Sequence, residues 1–414
     1  MARLWLLHLR FTSPLHHVVG RGGYPEQGGE LPGNDTILSA VAAAYHQLTG
    51  SFPQSWIDHL ALSSLLPVRW GRLYLPIPPK VLADPEKNPL RQKVLNRIGW
   101  LRASGEHWGR WARGEWEEVA ESIVKEEEKR LGGEEDNVPK RERFYLTRGD
   151  WFQTEVRERV ALHPVHRNRP ANSDVWGSPA PYRVVSLVFT PEGRELGEGS
   201  PSPNAALLLY FSDDQVEEAE RFVKTLRLVG EHFGLGGDRS LGYGRFELLS
   251  VEEDYSPPCP SQSEYSMTLG YLLPTEDELK GIDWPRSHWG YQWREGWNRL
   301  WGTKNGQPGW VPVRSERVRM VSPASLLRWR EGQRGGFSCA GKKEDLFPKT
   351  YDPSRQEGFE AEESSRRIWR SGKTVLIPVG VPMSFKGETE KLAGAGEEEG
   401  PGMQDDPLEV SAGG

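Results

Sequence analysis

The sequence predicts an α+β protein with two domains, because the same kinds of elements occur in both halves of the chain. Each half contains strands, a glycine-rich loop and a capped amphipathic helix. This set of elements is that of the ferredoxin-like (RRM-like) βαββαβ unit. We therefore predict two ferredoxin-like domains with insertions, in residues 1–135 and 136–385, followed by a tail in residues 386–414.

The first half opens with a strand in which Trp5, Leu7, Leu9 and Phe11 alternate with more polar residues. This alternation is typical of a strand with one buried face. A glycine-rich loop then leads to Asn34-Asp35-Thr36, residue types that cap helices. The predicted helix ends at Gly50, and its apolar residues at helical spacing are Ile37, Val41, Tyr45 and Leu48.

Three more elements are predicted before residue 135. Residues 57–66 form a second amphipathic stretch, and residues 72–75 form a strand. Residues 115–131 carry many charges and end before two glycines, which predicts a helix. Because runs of charge usually face water, we expect this helix to be a solvated surface element.

The second half repeats the pattern. Strands are predicted in residues 183–189, 205–211 and 245–250, and a last strand in residues 374–381. Asp213-Asp214 is expected to cap a helix before a second glycine-rich loop. The apolar residues of this helix are Val216, Ala219, Phe222, Val223, Leu226, Val229 and Phe233.

Composition sets limits on location and partners. The formal net charge is −7, but residues 386–414 contain eight acidic and two basic residues, so the rest is nearly neutral and can carry local basic surfaces. This acidic, glycine-rich tail is expected to be disordered.

Cys259 and Cys339 have no disulfide or metal-ligand spacing, so no metal and no cofactor are predicted. Charged residues interrupt the short apolar N-terminus, which argues against a signal peptide and favours a cytoplasmic protein without a membrane partner.

The most informative segment is residues 234–246, Gly-Leu-Gly-Gly-Asp-Arg-Ser-Leu-Gly-Tyr-Gly-Arg-Phe. It connects a helix to a strand, whereas a Walker loop or a dinucleotide fingerprint would lead into a helix. Its glycines allow the backbone to approach a ligand closely, and we expect a side chain at Gly236, Gly237 or Gly242 to obstruct this, with a positive φ at Gly237. Arg239 suits a phosphate, Ser240 can donate a hydrogen bond, and Tyr243 offers a stacking face. The alternative is a tight helix-to-strand connection without a ligand.

This segment resembles the glycine-rich loop of the RAMP superfamily of CRISPR-associated proteins, and most closely that of the fourth Csm subunit of type III-A effector complexes. Two residues depart from the family pattern, Asn34 in place of Ser and Ile77 in place of Lys. Further segments resemble that family in the same order, namely residues 7–16, 34–40, 62–67, 73–78 and 369–379.

The resemblance implies two RAMP domains, with the glycine-rich loop in the second. It implies a non-catalytic subunit that caps the crRNA 5′ handle and touches target RNA only indirectly. The implied partners are a large polymerase/cyclase-type subunit and the Csm backbone RAMP subunit. The RNA-binding residues that we predict are His16, His17, Arg21, His166, Arg167, Arg169, Gly236, Gly237, Arg239, Ser240, Gly242 and Tyr243.

Two other functions stay open. In a metal-independent guide-processing endoribonuclease, His16 or His17 would act as general base with Arg21 and Tyr24 nearby. A scaffold in a differently organised type III complex is the other. The two histidines can also be structural residues of the loop.

Two further segments have compositions of interest. Residues 140–170 contain eight Lys or Arg against four Asp or Glu, with Phe144, Tyr145, Trp151 and Phe152 interleaved. This composition suits a single-stranded RNA surface, or alternatively a solvated hairpin with a few core aromatics. Residues 284–310 contain six tryptophans, which we expect in the core or at partner contacts rather than in a base-stacking ladder.

Overall fold

The structure is a computed structural model. It describes residues 2–17, 31–78, 93–131, 142–160, 181–189, 202–256, 259–260, 262–294, 297–304, 307–314, 317–330, 334–335, 338–345, 359–361 and 369–380. Its helices are α1 (Asn34–Thr49), α2 (Gln54–His59), α3 (Glu106–Ala112), α4 (Trp116–Leu131), α5 (Arg148–Trp151), α6 (Val216–Leu228) and α7 (Glu276–Gly281). None of the helices in these ranges is long and apolar enough to cross a membrane.

Strands account for most of the remaining elements. The first twelve are β1 (Ala2–Phe11), β2 (Ala61–Leu62), β3 (Leu66–Arg69), β4 (Arg72–Pro76), β5 (Ile98–Arg102), β6 (Tyr145–Thr147), β7 (Phe152–Val160), β8 (Pro181–Phe189), β9 (Ala205–Ser212), β10 (Phe246–Glu252), β11 (Gln262–Ser263) and β12 (Tyr265–Thr268). The others are β13 (Tyr291–Arg294), β14 (Trp297–Lys304), β15 (Gln307–Arg314), β16 (Val318–Val321), β17 (Leu326–Arg328), β18 (Arg334–Gly335), β19 (Ser338–Ala340), β20 (Lys343–Asp345), β21 (Phe359–Ala361), β22 (Trp369–Ser371) and β23 (Thr374–Val379).

Twelve strands form one large sheet. Its main path runs β17–β12–β23–β2–β9–β3–β4–β5–β6, while β1 pairs with β9 and β10, and β19 pairs with β23. Almost all of these pairings are antiparallel; β2 and β23 pair in parallel. The predicted α+β class is confirmed.

The strand β1 joins the two halves of the chain. It lies between β9 and β10 and is antiparallel to both. The elements β1, α1, β3, β9, α6 and β10 therefore run β-α-β-β-α-β, with β3 paired to the other side of β9. Since the sheet contains strands from both sides of residue 135, the predicted boundary there does not coincide with a break in the sheet.

The burial of β1 differs from the prediction of a half-buried strand. Trp5, Leu7, Leu9 and Phe11 do share one face, where they pack in a core with α1 and α6. Leu4 and Leu6 are buried as well, in a second core on the opposite face. The alternation of apolar and more polar residues predicted only one buried face of β1. Both faces are buried because the strand lies inside the sheet and is covered on both sides.

The helix α1 begins where predicted but is not capped as predicted. Gly33 occupies the N-cap position, and no side chain caps the helix. Gly50 ends it in the left-handed conformation, as predicted. Ile37 and Val41 are buried, but Leu48 near the end is 54% exposed.

The stretch in residues 57–66 was predicted as amphipathic throughout. Instead α2 ends at His59, and the chain continues as β2 and β3. Every residue from Leu60 to Leu66 is buried, including Ser63 and Ser64. Such a short run does not distinguish a buried strand from a buried helix, which is why the prediction failed here.

The elements predicted in residues 183–250 are all present as β8, β9, α6 and β10, and the last strand is β23. Asp213 and Asp214 lie in a single 3₁₀ turn before α6 rather than capping it. Asp213 instead accepts a hydrogen bond from Arg3 at 2.8 Å, which ties the start of β1 to the end of β9.

The charged helix α4 is also present, but it is not solvated all round. Trp116, Val119, Ala120 and Ile123 are buried and form one stripe. Trp116 stacks on Trp111 of α3 with ring centroids 5.4 Å apart. Among the described side chains of α4, the charged ones are exposed or half-buried, except for Glu127, which is buried.

Candidate nucleic-acid interface

The glycine-rich loop runs from the end of α6 to the start of β10. A turn of π-helix in Val229–Phe233 extends α6, and a short 3₁₀ turn in Arg239–Leu241 interrupts the loop. Left-handed backbone brackets this turn, with φ of 54° at Asp238 and 86° at Gly242. The loop is therefore a defined sequence of tight turns.

The first loop, which follows β1, packs directly on the glycine-rich loop. The Gly237 amide donates to the His16 carbonyl at 2.7 Å, and the Gly244 amide donates to the Pro14 carbonyl at 2.8 Å. On its other side the first loop pairs with β8, where the Leu15 and Leu187 backbones exchange two hydrogen bonds of 2.8 Å. Two segments that the sequence places more than 200 residues apart thus form one surface.

The glycines of the loop are constrained in different ways. Gly236 has φ of 83°, and a Cβ there would overlap the His16 carbonyl. The predicted positive φ at Gly237 is wrong; a Cβ there would lie 2.8 Å from Cδ2 of the His16 ring. At Gly242, whose φ is also positive, a Cβ would meet no atom of the protein within 4 Å, so the obstruction of a ligand there stays a prediction. The close approach is made by the protein's own first loop.

The outward side of the loop carries polar side chains. Arg239 and Ser240 are exposed, and Leu241 between them and Gly242 is 62% exposed. Tyr243 is only 5% exposed, so its ring packs within the chain. The pKa of Arg157 on β7 is raised, first by its hydrogen bond to Glu155 and further by the neighbouring Tyr243 hydroxyl, which places that hydroxyl beside β7.

The two histidines of the first loop are buried, each with 6% of its surface exposed. The Nδ1 atom of His16 lies 2.7 Å from the Val185 carbonyl. A carbonyl only accepts, so Nδ1 carries the proton in this pair and Nε2 is the acceptor of the neutral ring. Nε2 lies on the side of the glycine-rich loop, next to Gly237.

The second predicted basic cluster is described only in part. Arg21, His166, Arg167 and Arg169 lie outside the described residues, as do Tyr24 and the acidic tail. The strands β7 and β8 form the hairpin that flanks residues 161–180. Of the two alternatives for residues 140–170, the structure favours core aromatics over an RNA surface built on them, because all four rings are buried, namely Phe144, Tyr145, Trp151 and Phe152.

A buried ionic network was not predicted. Asp35 is fully buried and accepts hydrogen bonds from Arg294 at 2.9 Å and from Arg370 at 2.5 Å. Burial acts to raise the pKa of Asp35, but the two guanidinium groups outweigh it and hold that pKa well below its usual range. Asn34 beside it bonds to the Tyr271 and Lys373 backbones. In the sequence these two residues look like caps, and only their partners far along the chain distinguish the two roles.

In the described part of the chain, no group of three His, Cys, Asp or Glu side chains is placed to share a metal ion. Next to the half-buried Asp238, the exposed turn of the glycine-rich loop offers the Arg239 guanidinium and the Ser240 hydroxyl. These are groups that contact phosphate and ribose oxygens.

Comparison with known proteins finds several that are similar to parts of this chain. A family model described as the RAMP superfamily matches residues 98–247, which include the glycine-rich loop. A curated protein of Methanocaldococcus jannaschii, "CRISPR system Cms protein Csm4", is 34% identical over 93 residues, which are 20% of this chain and 24% of that protein. The matched segment thus spans about a quarter of the relative's length.

Solved structures with a similar course of the chain also contain Csm4. The Csm3–Csm4 subcomplex of a type III-A CRISPR-Cas interference complex matches with a TM-score of 0.45 and 13% identity, over 91% of this chain and 99% of that one. A Csm1–Csm4 cassette in complex with cA4 matches with a TM-score of 0.45 and 15% identity, over 92% and 99%.

The chain is therefore similar to proteins of the RAMP superfamily over residues 98–247. A segment of 93 residues is similar to Csm4.

Proposed function

We propose that this protein is a non-catalytic RNA-binding subunit of a type III-A CRISPR effector complex, and that its glycine-rich loop holds the 5′ handle of the crRNA. The observation that carries the proposal is the packing of the glycine-rich loop on the first loop, with Arg239 and Ser240 exposed on the outer turn. The similarity to Csm4 supports the kind of complex.

The geometry suits a grip on the RNA backbone. The Gly237 and Gly244 amides donate hydrogen bonds to carbonyls of the first loop. The first loop therefore supports the turn that carries Arg239. A guanidinium group on a rigid turn loses little freedom when it binds a phosphate. Contacts to phosphate fix position without reading bases, which suits a subunit that must hold any guide whatever its spacer.

The same proposal includes the architecture and the partners. We infer two ferredoxin-like units, one of which is the β-α-β-β-α-β set around β1. The partners would be the large polymerase/cyclase-type subunit and the backbone RAMP subunit, since Csm4 occurs together with Csm1 and with Csm3 in the structures compared above. Cleavage and nucleotide chemistry would belong to those partners.

One observation favours a second candidate function. His16 has Nδ1 fixed on the Val185 carbonyl at 2.7 Å, which leaves Nε2 as the acceptor on the side of the glycine-rich loop. An acceptor nitrogen there can receive a hydrogen bond from a ribose 2′-hydroxyl, or can remove its proton as a general base. The second role would make the protein a metal-independent endoribonuclease.

The binding experiment compares an RNA that carries the handle with the same RNA lacking it. We expect Arg239→Ala to weaken binding of the handle RNA about tenfold, the effect of one charge-assisted hydrogen bond. The salt dependence should fall by about 0.7 in the slope of log K against log salt, as for one phosphate contact on a single strand. Arg221→Ala is the matched control, since Arg221 is an exposed arginine on α6 that pairs with Glu217 and Glu218.

Equal and small losses for both RNAs would contradict the proposal and leave the loop as a turn. The same samples, incubated with repeat RNA with and without divalent metal, test the second candidate. Cleavage that disappears in His16→Ala would favour the endoribonuclease.

A further inference from the structure

The His16 ring is fixed in place beside the glycine-rich loop. Its Nδ1 lies 2.7 Å from the Val185 carbonyl of β8, and the His16 backbone carbonyl accepts a hydrogen bond of 2.7 Å from the Gly237 amide. Because the Val185 carbonyl only accepts, it holds the ring proton on Nδ1, and Nε2 of the neutral ring is an acceptor. The fold therefore presents one acceptor nitrogen in a fixed position.

The ring edge that carries Nε2 lies next to Gly237, which is exposed. A Cβ at Gly237 would lie 2.8 Å from Cδ2 and 3.5 Å from Nε2 of His16, so a side chain there would cover this edge. The φ of Gly237 is outside the left-handed range that favours glycine. What glycine provides at this position is therefore space over the His16 ring and not a left-handed turn.

This nitrogen is also chemically unused within the described part of the chain. The ring hydrogen bond of His16 is made by Nδ1, and Nε2 receives no hydrogen bond from the described residues. The residue is 94% buried, since only 6% of its surface is exposed. A polar atom on such a buried ring gains stability from a donor that reaches it.

We propose that Nε2 of His16 accepts a hydrogen bond from a ribose 2′-hydroxyl of the crRNA handle, and that the loop thereby selects ribose over deoxyribose. This inference rests on the proposed function, which brings the handle to this loop. The phosphate and ring oxygens of a nucleic-acid backbone only accept hydrogen bonds, whereas the 2′-hydroxyl also donates. An acceptor beside a turn that holds the backbone therefore pairs with the one backbone group that DNA lacks.

The residues that follow favour this division of roles. Asp238 comes directly after Gly237 and is half-buried, and a carboxylate at this point disfavours a phosphate near Nε2. The exposed cation of the loop is the next residue, Arg239. The loop thus offers an acceptor for a sugar hydroxyl and, two residues along, a guanidinium group for a phosphate.

The experiment is a double-mutant cycle between the protein and the handle RNA. Single 2′-deoxy substitutions are placed at each handle position in turn, and binding to the full chain is measured for wild type and His16→Asn. The asparagine amide can donate to the Val185 carbonyl as Nδ1 does, but it has no acceptor nitrogen in place of Nε2. We expect one deoxy position to weaken binding to wild type about fivefold, as for one neutral hydrogen bond, and to leave binding to His16→Asn unchanged.

Two further variants complete the design. His232→Asn is the matched control, because His232 is a surface histidine just before the loop, with a side chain 65% exposed; it should keep the deoxy effect in full. Gly237→Ala places a Cβ beside Nε2 and should remove the deoxy effect as His16→Asn does. Thermal unfolding shows which variants are folded. A deoxyribose also alters the RNA backbone itself, but that contribution is the same for every variant and cancels in the cycle.

Equal deoxy effects in wild type and His16→Asn, or none at any position, would overturn the inference while the grip on the handle remains. A His16-dependent loss that follows the base and not the 2′-hydroxyl would also overturn it, because Nε2 would then accept from a base N–H. So would unchanged RNA affinity of His16→Asn together with loss of a protein subunit from the complex. If wild type does not prefer the handle RNA, the proposed function fails and the inference fails with it. Arg239→Ala distinguishes these cases, since it tests the phosphate contact with every sugar intact.

Discussion

Gly236 and Gly242 have nearly the same backbone conformation, with φ of 83° and 86°, but different surroundings. At Gly236 an added Cβ would overlap the His16 carbonyl, whereas at Gly242 it would meet nothing within 4 Å. The two positions separate the strain of a left-handed residue from the loss of a close approach between loops.

Alanine at each position measures the two effects. We expect Gly242→Ala to lower the free energy of unfolding by about 1–2 kcal/mol, the cost of left-handed backbone for a residue with a Cβ. Gly236→Ala should cost about 1–3 kcal/mol more, because the first loop must move away. Denaturant unfolding of both variants checks the difference. Equal losses in the free energy of unfolding would show that the first loop can move away at no cost.

At the scale of elements, α4 shows how a charged sequence can still form part of a core. Its apolar residues occur at helical spacing and face α3 and the sheet, while its acidic residues other than Glu127 are exposed or half-buried. Tyr145 of β6 donates a hydrogen bond of 2.6 Å to Glu127 of α4, and both side chains are buried. The helix is therefore fixed to the sheet by a polar contact as well as by apolar packing.

Replacing one residue on each face of α4 tests this orientation. Ile123 is fully buried, and we expect Ile123→Ala to destabilise the protein by about 2–5 kcal/mol through the cavity it leaves. Glu121→Ala, on the exposed face, should change stability by less than about 0.5 kcal/mol. A small effect of Ile123→Ala in thermal unfolding would mean that α4 is a solvated appendage after all.

At the scale of the whole molecule, the Asp35 network connects three distant parts of the chain. Asp35 lies in α1, Arg294 in β13 and Arg370 in β22. The Asp35 carboxylate thus connects α1, which packs on β1, to β13. Removing one member leaves a buried charge without its partner, which costs more than the pair contributes when intact.

We expect Asp35→Asn to lower the free energy of unfolding by about 3–5 kcal/mol at neutral pH. The pKa of Asp35 is below its value in the unfolded chain, so the native carboxylate stabilises the protein above about pH 4 and this stabilisation is lost as the pH falls toward the folded pKa. In denaturant unfolding between pH 7 and pH 3, the difference in stability between wild type and variant should therefore be constant down to about pH 4 and begin to narrow below it.

Asp58→Asn is the control for this variant. Asp58 pairs with Lys343 at 2.8 Å at the surface, and its side chain is 39% exposed, so the change should cost about 1 kcal/mol or less. A loss at Asp35 as small as that at Asp58, or one that does not depend on pH, would contradict the network's structural role.

The sequence alone determined the elements whose causes are local. Helical spacing in residues 216–233 and alternation in residues 3–11 depend on neighbours a few positions away. For this reason α6 was predicted correctly, and so was the face of β1 that carries Trp5, Leu7, Leu9 and Phe11. Glycine-rich composition likewise predicted tight turns between α6 and β10. The resemblance to the RAMP superfamily was readable for the same reason, since it is carried by short local motifs that follow one another in a fixed order.

Only the tertiary structure decided which distant segments meet. The structure shows that His16 packs against the glycine-rich loop, that β1 lies between β9 and β10, and that Asp35 is an ionic partner rather than a cap. All three depend on contacts between residues far apart in the chain. The position of the left-handed φ, at Gly236 and not at Gly237, was likewise visible only in the structure. Local patterns carry no information on such contacts, since the free energy that selects them comes from burial and pairing in the assembled sheet.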